Sequence, residues 1–168
     1  AVCAGAFYYC VKTKLPFSTA KVESPNVYFD YVLLLGCLTF VSFIAYLQFQ
    51  YNVFGTRYGL ATFFPMLVLF FSAYFFDHLG VLSLAITNLA AWIGVTVTPS
   101  QLLRVNDFNS STIIYSGLFL GALLIALAFV SKQKKWKHHF EFTYTNFGTH
   151  VLFISCLSAM FQFDRIYL

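Results

Sequence analysis

Five uninterrupted apolar runs dominate this sequence: residues 30–47 (DYVLLLGCLTFVSFIAYL), 58–76, 79–97, 112–130 and 147–163. Each is 17–19 residues long, close to the length a helix needs to cross a hydrocarbon core of about 30 Å. Inside hydrocarbon every backbone amide must find its partner within the segment, so such runs fold as helices. Strands of a membrane barrel would be about ten residues long and strictly alternating, and that pattern is absent. Composition leads to the same solvent. Hydrophobic residues make up 60% and charged residues 10% of the chain, whereas a soluble domain carries about 25% charged residues. A soluble core of this size would still expose about a third of its unfolded surface, so the surrounding medium must be lipid. The sequence therefore predicts an all-α, polytopic transmembrane helical bundle with the lipid bilayer as its first partner.

The opening stretch is different. Residues 1–11 (AVCAGAFYYCV) are apolar but too short to span. No basic region precedes them and no cleavage site follows, so a signal peptide does not fit. They are expected to be the tail of a truncated transmembrane helix, followed by a cytoplasmic loop over 12–29 containing Pro16 and Pro25. The five-helix domain then occupies 30–168.

The connections assign an orientation. Asp77-His78 is a very short link, which predicts a closely packed antiparallel hairpin of the second and third runs. Residues 98–111 (TPSQLLRVNDFNSS) form the most polar loop, with Asn109, Ser110 and Ser111 as candidate helix caps. Alternate sides of the membrane hold unequal positive charge. Lys12, Lys14, Lys21, Lys132, Lys134, Lys135 and Lys137 lie on one side, and Arg57, Arg104 and Arg165 on the other. The positive-inside rule places the lysine side in the cytoplasm, so loops 12–29 and 131–146 are cytoplasmic. The net charge of +4 is thus a topology signal and does not point to nucleic acid.

Functional candidates are few. Ionisable residues inside a span mark membrane sites because burying charge in lipid is costly. Here Asp30, Arg57, Asp77, His78, His150, Asp164 and Arg165 all read as helix-end residues. Asn88 is the polar residue nearest the middle of any run, with Ser83 and Thr87 beside it. These three are a ligand-binding site or, more simply, an interhelical hydrogen bond. Pro65 removes one helical hydrogen bond and predicts a kink. Gly117 and Gly121 form GxxxG, and Ala90 and Gly94 a related small-xxx-small pair, both marking helix-packing faces. Packing within the chain is favoured over dimerisation. Lys134, Lys135, Lys137, His138 and Trp136 are expected to meet anionic headgroups at the interface.

His138 and His139 point about 100° apart on a helix and gain no Cys or Glu at ligand spacing, so no metal site is expected. Cys3, Cys10, Cys37 and Cys156 lack CxxC spacing and read as small hydrophobes. No phosphate loop, dinucleotide turn, nucleophile elbow or zinc-protease motif occurs, so no catalytic residue and no cofactor is assigned.

Three segments carry a resemblance: FQYNVFGTRYGLATFFP (49–65), AYFFDHLGVLSLAITNLAAWIGVTVTP (73–99) and HFEFTYTNFGTHVLF (139–153). Over about residues 30–160 the chain resembles a family of predicted bacterial membrane proteins bearing the domain-of-unknown-function label 2157, with members from the Bacteroidota nearest in likeness. The resemblance implies a bacterial inner membrane location and a soluble segment ahead of many transmembrane helices. It attaches no chemistry to any residue. Three functions follow in order: a non-enzymatic membrane subunit or scaffold packing against other membrane protein subunits; a transporter or channel for a small or lipidic solute, using Pro65 and Asn88; and a membrane enzyme acting on lipid carriers through His78, His138 or His139.

Overall fold

The structure, a computed structural model, describes residues 2–13, 26–55, 57–97, 111–134 and 137–164. Among them every regular element is a helix: α1 (Val2–Thr13), α2 (Val27–Tyr51), α3 (Tyr58–Phe76), α4 (Leu79–Val97), α5 (Ser111–Lys134) and α6 (Phe140–Asp164). Four of them, α2 to α5, are long and apolar enough to cross a membrane. The fifth predicted span falls in α6, which has ample length at 25 residues but a more polar make-up. Pro16, Pro25, Lys14, Lys21, Arg104, Asn109, Ser110, Lys135, Trp136 and Arg165, and with them most of the 98–111 loop, lie outside the described residues.

Helix ends extend beyond the apolar runs wherever polar residues continue the helix. α2 begins three residues before Asp30, placing that carboxylate in the first turn, where the helix dipole favours it. At its other end α2 runs on to Tyr51 and closes with Asn52 in the left-handed conformation, φ 49°. Gln48, buried, holds the following turn at both ends of its amide. It accepts from Phe54 N–H at 3.0 Å and donates to the Gly55 carbonyl at 2.9 Å. Tyrosines mark both ends of α2, Tyr28 and Tyr31 at one and Tyr46 and Tyr51 at the other. That is the distribution of an aromatic belt. Only 22–28% of the most apolar window of each of the four helices α2 to α5 is buried within the protein, so most of each apolar surface is left uncovered by the chain itself.

The chain divides into two compact units, residues 1–89 and 90–168, with the boundary inside α4. In the first unit α1 packs closely on α2, and α2 more lightly on α3. Its buried residues recur at helical spacing: Ala6 and Cys10; Phe29, Leu33 and Cys37; Met66, Leu69 and Ala73; Val81, Leu82, Ala85 and Ile86. Phe29 meets Phe76 edge-on at 6.0 Å between ring centres. The short Asp77-His78 link does not produce the expected tight hairpin, since α3 and α4 make no close backbone approach along their length. At its start α4 instead meets α2 through side chains. His78 reaches Asp30, and Leu34 Cδ2 lies 3.3 Å from where a β-carbon on Gly80 would stand. Along α3, Pro65 is buried and the helix continues through it.

The second unit is built on the α5–α6 hairpin, the most extensively packed helix pair among the described residues. Gly117 and Gly121 of α5 face α6, where they sit against Ser155 and Leu152. Gly148 of α6 in turn sits against Ile125, Leu124 and the Gly121 carbonyl. With little hydrophobic driving force between helices in lipid, close backbone approach and van der Waals contact supply the attraction. Gln162 Nε2 donates to Ser111 Oγ at 2.8 Å, tying the far end of the hairpin. Ser111 is therefore already inside α5, one residue beyond its expected capping position.

Candidate functional site

Asn88 is the tenth residue of α4, near its middle. Its Nδ2 is buried and has no hydrogen-bond partner among the described residues. The neighbouring hydroxyls are satisfied by their own helix. Ser83 Oγ donates to Leu79 O at 3.1 Å, and Thr87 Oγ1 to Ser83 O at 2.9 Å. This backbonding is a common use of hydroxyl residues in a helix. Ser83 and Thr87 stack one turn apart, while Asn88 points off their line. The three therefore do not converge on a single spot, and Asn88 alone carries unmet hydrogen-bonding capacity. Ala90 and Gly94 are half-buried on the second unit's part of α4.

Sequence reading missed a second polar feature, because its members lie far apart in the chain. Asp77 ends α3 in the left-handed conformation, φ 59°, and its N–H and that of His78 both donate to the Ala73 carbonyl. This turn presents the His78 ring to α2 and α4 together. Val81 N–H donates to Nδ1 at 3.2 Å, capping α4, so the ring proton resides on Nε2. That nitrogen faces Asp30 Oδ1 at 3.4 Å. Burial pushes the His78 pKa down, and the Asp30 charge only partly opposes this. Both ring nitrogens are engaged, so His78 is a structural cap with no lone pair open to an incoming ligand.

The sign of the pH effect follows. A depressed imidazole pKa means that the unfolded chain takes up a proton which the folded chain resists. Stability is then complete above about pH 6.5, the ordinary histidine value, and declines as pH falls through it. Thermal unfolding in detergent between pH 8 and pH 5 should show that decline. His78→Asn, which keeps a capping acceptor but cannot titrate, should flatten it. An equally steep profile in the variant would remove His78 as the cause.

At the α5–α6 turn, Glu141 joins His138, an expected headgroup contact, to Lys132. His138 Nδ1 lies 2.8 Å from Glu141 Oε2, and Lys132 Nζ lies 3.2 Å from Oε1. Lys132 and His138 are both well exposed, so the cluster contributes at most about 1 kcal/mol. Lys134 is exposed, as a headgroup contact requires. Lys137 departs from that expectation. Its side chain is 1% exposed, and its backbone turns through a left-handed φ of 52°. Its carbonyl accepts from Phe140 N–H at 2.8 Å and Ser131 Oγ at 3.2 Å. This inward turn, which starts α6, carries the side chain away from the surface.

His150 is also placed differently from its reading as a helix-end residue. Because α6 starts at Phe140, His150 lies ten residues in, about 15 Å along the axis. It falls between the Gly148–Ile125 and Leu152–Gly121 contacts, level with the middle of the apolar part of α5. Its Nδ1 lies 2.7 Å from the Asn146 carbonyl.

The first unit also holds an apolar cavity of about 370 Å³ between α1 and α3, floored by Phe40 of α2. Cys3, Phe7 and Val11 form one wall, and Val68, Phe71, Ser72, Phe75 and Phe76 the other. No group of three or more metal-binding side chains occurs among the described residues, and all four cysteines are free thiols.

No protein family model, curated protein or solved structure matches this chain. Functional assignment therefore rests on the geometry above.

Proposed function

We propose that this chain is a multi-pass membrane subunit without catalysis of its own, acting by presenting helix surfaces to partner subunits. The supporting observation is Asn88. A donor buried at mid-helix with no acceptor costs about 1–3 kcal/mol, and an adjoining subunit that draws the amide out of its burial and accepts from it removes that cost. On this reading α6 is a fifth span, because it lies along the membrane-length α5 and shares its depth. The lysine-rich side then faces the cytoplasm of a bacterial inner membrane, as the charge asymmetry and the likeness to the family labelled 2157 suggest.

Gentle detergent purification of the full-length protein followed by native mass spectrometry tests this reading. A partner at fixed stoichiometry is expected, and a strictly monomeric protein would count heavily against it.

A second reading, binding of a lipidic solute, is favoured by the cavity between α1 and α3. Its 370 Å³ volume falls in the range of ligand pockets, and its walls are nearly all hydrocarbon. Ser72→Phe, which fills the cavity from a buried position, should then displace lipid that co-purifies with the parent protein. Unchanged lipid content would dispose of this alternative. A membrane enzyme ranks last, since His78 is engaged at both nitrogens and His138 is held by Glu141.

A further inference from the structure

Ser72 of α3 is only 2% exposed, yet its hydroxyl makes no hydrogen bond among the described residues. Thr39, Thr62, Ser83 and Thr87 of the same unit each donate to a carbonyl of their own helix, the usual use of a helical hydroxyl. Ser72 instead lines the cavity between α1 and α3. Its hydroxyl faces that space, the one hydroxyl in a wall of hydrocarbon and a single thiol. We propose that this cavity binds a flat, uncharged aromatic carbonyl compound, an aryl ketone or quinone, whose carbonyl accepts from Ser72 Oγ. This narrows the second reading above from a lipidic solute to a chemical class, and rests on it.

Size, wall chemistry and solvent together select that class. An apolar cavity of about 150 Å³ holds one benzene, so on that scale about 370 Å³ takes about 15 non-hydrogen atoms, a small fused-ring system. Phe7, Phe40, Phe71, Phe75 and Phe76 line the space. Phe71 and Phe75 are stacked at 5.4 Å between ring centres, and Phe76 stands edge-on to Phe75 at 5.0 Å. Contacts between rings contribute beyond the area they bury, so this wall prefers a ring to a chain of the same size. An acyl chain gains little here, because it exchanges one hydrocarbon surrounding for another. A carbonyl gains most. In the bilayer interior it has no donor, while Ser72 has no acceptor, and in the cavity each satisfies the other. A charged ligand would be left unpaired, since the Cys3 thiol is the only ionisable group in the wall.

The probe is fluorenone, a rigid aryl ketone, with fluorene as the same ring system lacking the carbonyl. Full-length protein in phospholipid nanodiscs should retain fluorenone in excess of empty nanodiscs. The carbonyl stretch of the bound ketone should move to lower frequency. Fluorene should bind about fivefold more weakly, the scale of one hydrogen bond. Ser72→Ala, which leaves the cavity open and favours the helix, should bring fluorenone down to the fluorene level and reverse the carbonyl shift. Equal retention of the two probes, or full retention of fluorenone by Ser72→Ala, would overturn the ligand class. So would a protein that retains neither probe but loses phospholipid on Ser72→Phe, an outcome that leaves the second reading standing. Retention of neither probe, with phospholipid content unchanged by Ser72→Phe, would overturn both.

Discussion

Replacing Gly121 with leucine is expected to separate α5 from α6 and to produce the largest loss of stability of any single change in the second unit. A β-carbon at this position would stand 2.6 Å from Leu152 Cγ and 3.0 Å from the Leu152 backbone nitrogen. Side chains can rotate away from such a contact, but a backbone nitrogen inside a helix cannot. The opposite helix is just as constrained, because a β-carbon on Gly148 would lie 3.1 Å from the Gly121 carbonyl. The helices therefore touch backbone to backbone, and any added side chain must push them apart along their length. Overpacking of this kind costs about 1–3 kcal/mol even for modest insertions, and leucine should reach or exceed the upper figure. Gly117→Ala should cost less, since its neighbour is the Ser155 side chain, whose hydroxyl can rotate about a single bond, and not a helix backbone atom. Gly5→Ala, with nothing within 4 Å of the new methyl group, serves as the neutral control. Thermal unfolding in one detergent across these variants provides the ranking. If Gly121→Leu matched Gly5→Ala, the hairpin register described here would be wrong.

Asn88→Leu should have the opposite character. The substitution nearly conserves volume and deletes a buried donor with no partner, so the isolated chain should become more stable, by about 1–3 kcal/mol. The same change should weaken recovery of any stoichiometric partner, because the acceptor contributed by that partner would lose its donor. Gain of stability with loss of association is a combination that a purely structural asparagine does not give. A variant that unfolds more easily would show that the amide is already satisfied in the free chain, and would remove the main support for a subunit role.

The two shortest-linked spans show how much of the fold was legible. α3 and α4 begin and end where the apolar runs do, at Tyr58–Phe76 and Leu79–Val97. Polar residues cut off both runs abruptly, and helix and hydrocarbon coincide. α2 and α6 extend past their runs because Tyr28, Gln48, Thr143 and Tyr144 are polar enough to lower hydropathy yet continue the hydrogen-bonded spiral. That extension moved His150 from an apparent helix end to the middle of the hairpin. Asn88 stood out as a mid-span amide from sequence, but its lack of an acceptor did not. The His78–Asp30 contact and the Glu141 cluster were not visible at all, since each depends on segments meeting in space.

Sequence by itself determined the helical class and the four apolar stretches long enough to cross a membrane, because apolarity sums residue by residue and hydrocarbon permits no unpaired backbone. Tertiary structure alone decided which polar groups are satisfied. Whether Gly121 meets a side chain or a backbone, whether His78 caps a helix or binds a ligand, and whether Lys137 faces inward all depend on the register between helices. That register is set by close packing, at a resolution of tenths of an ångström, and hydropathy along a single chain carries no record of it.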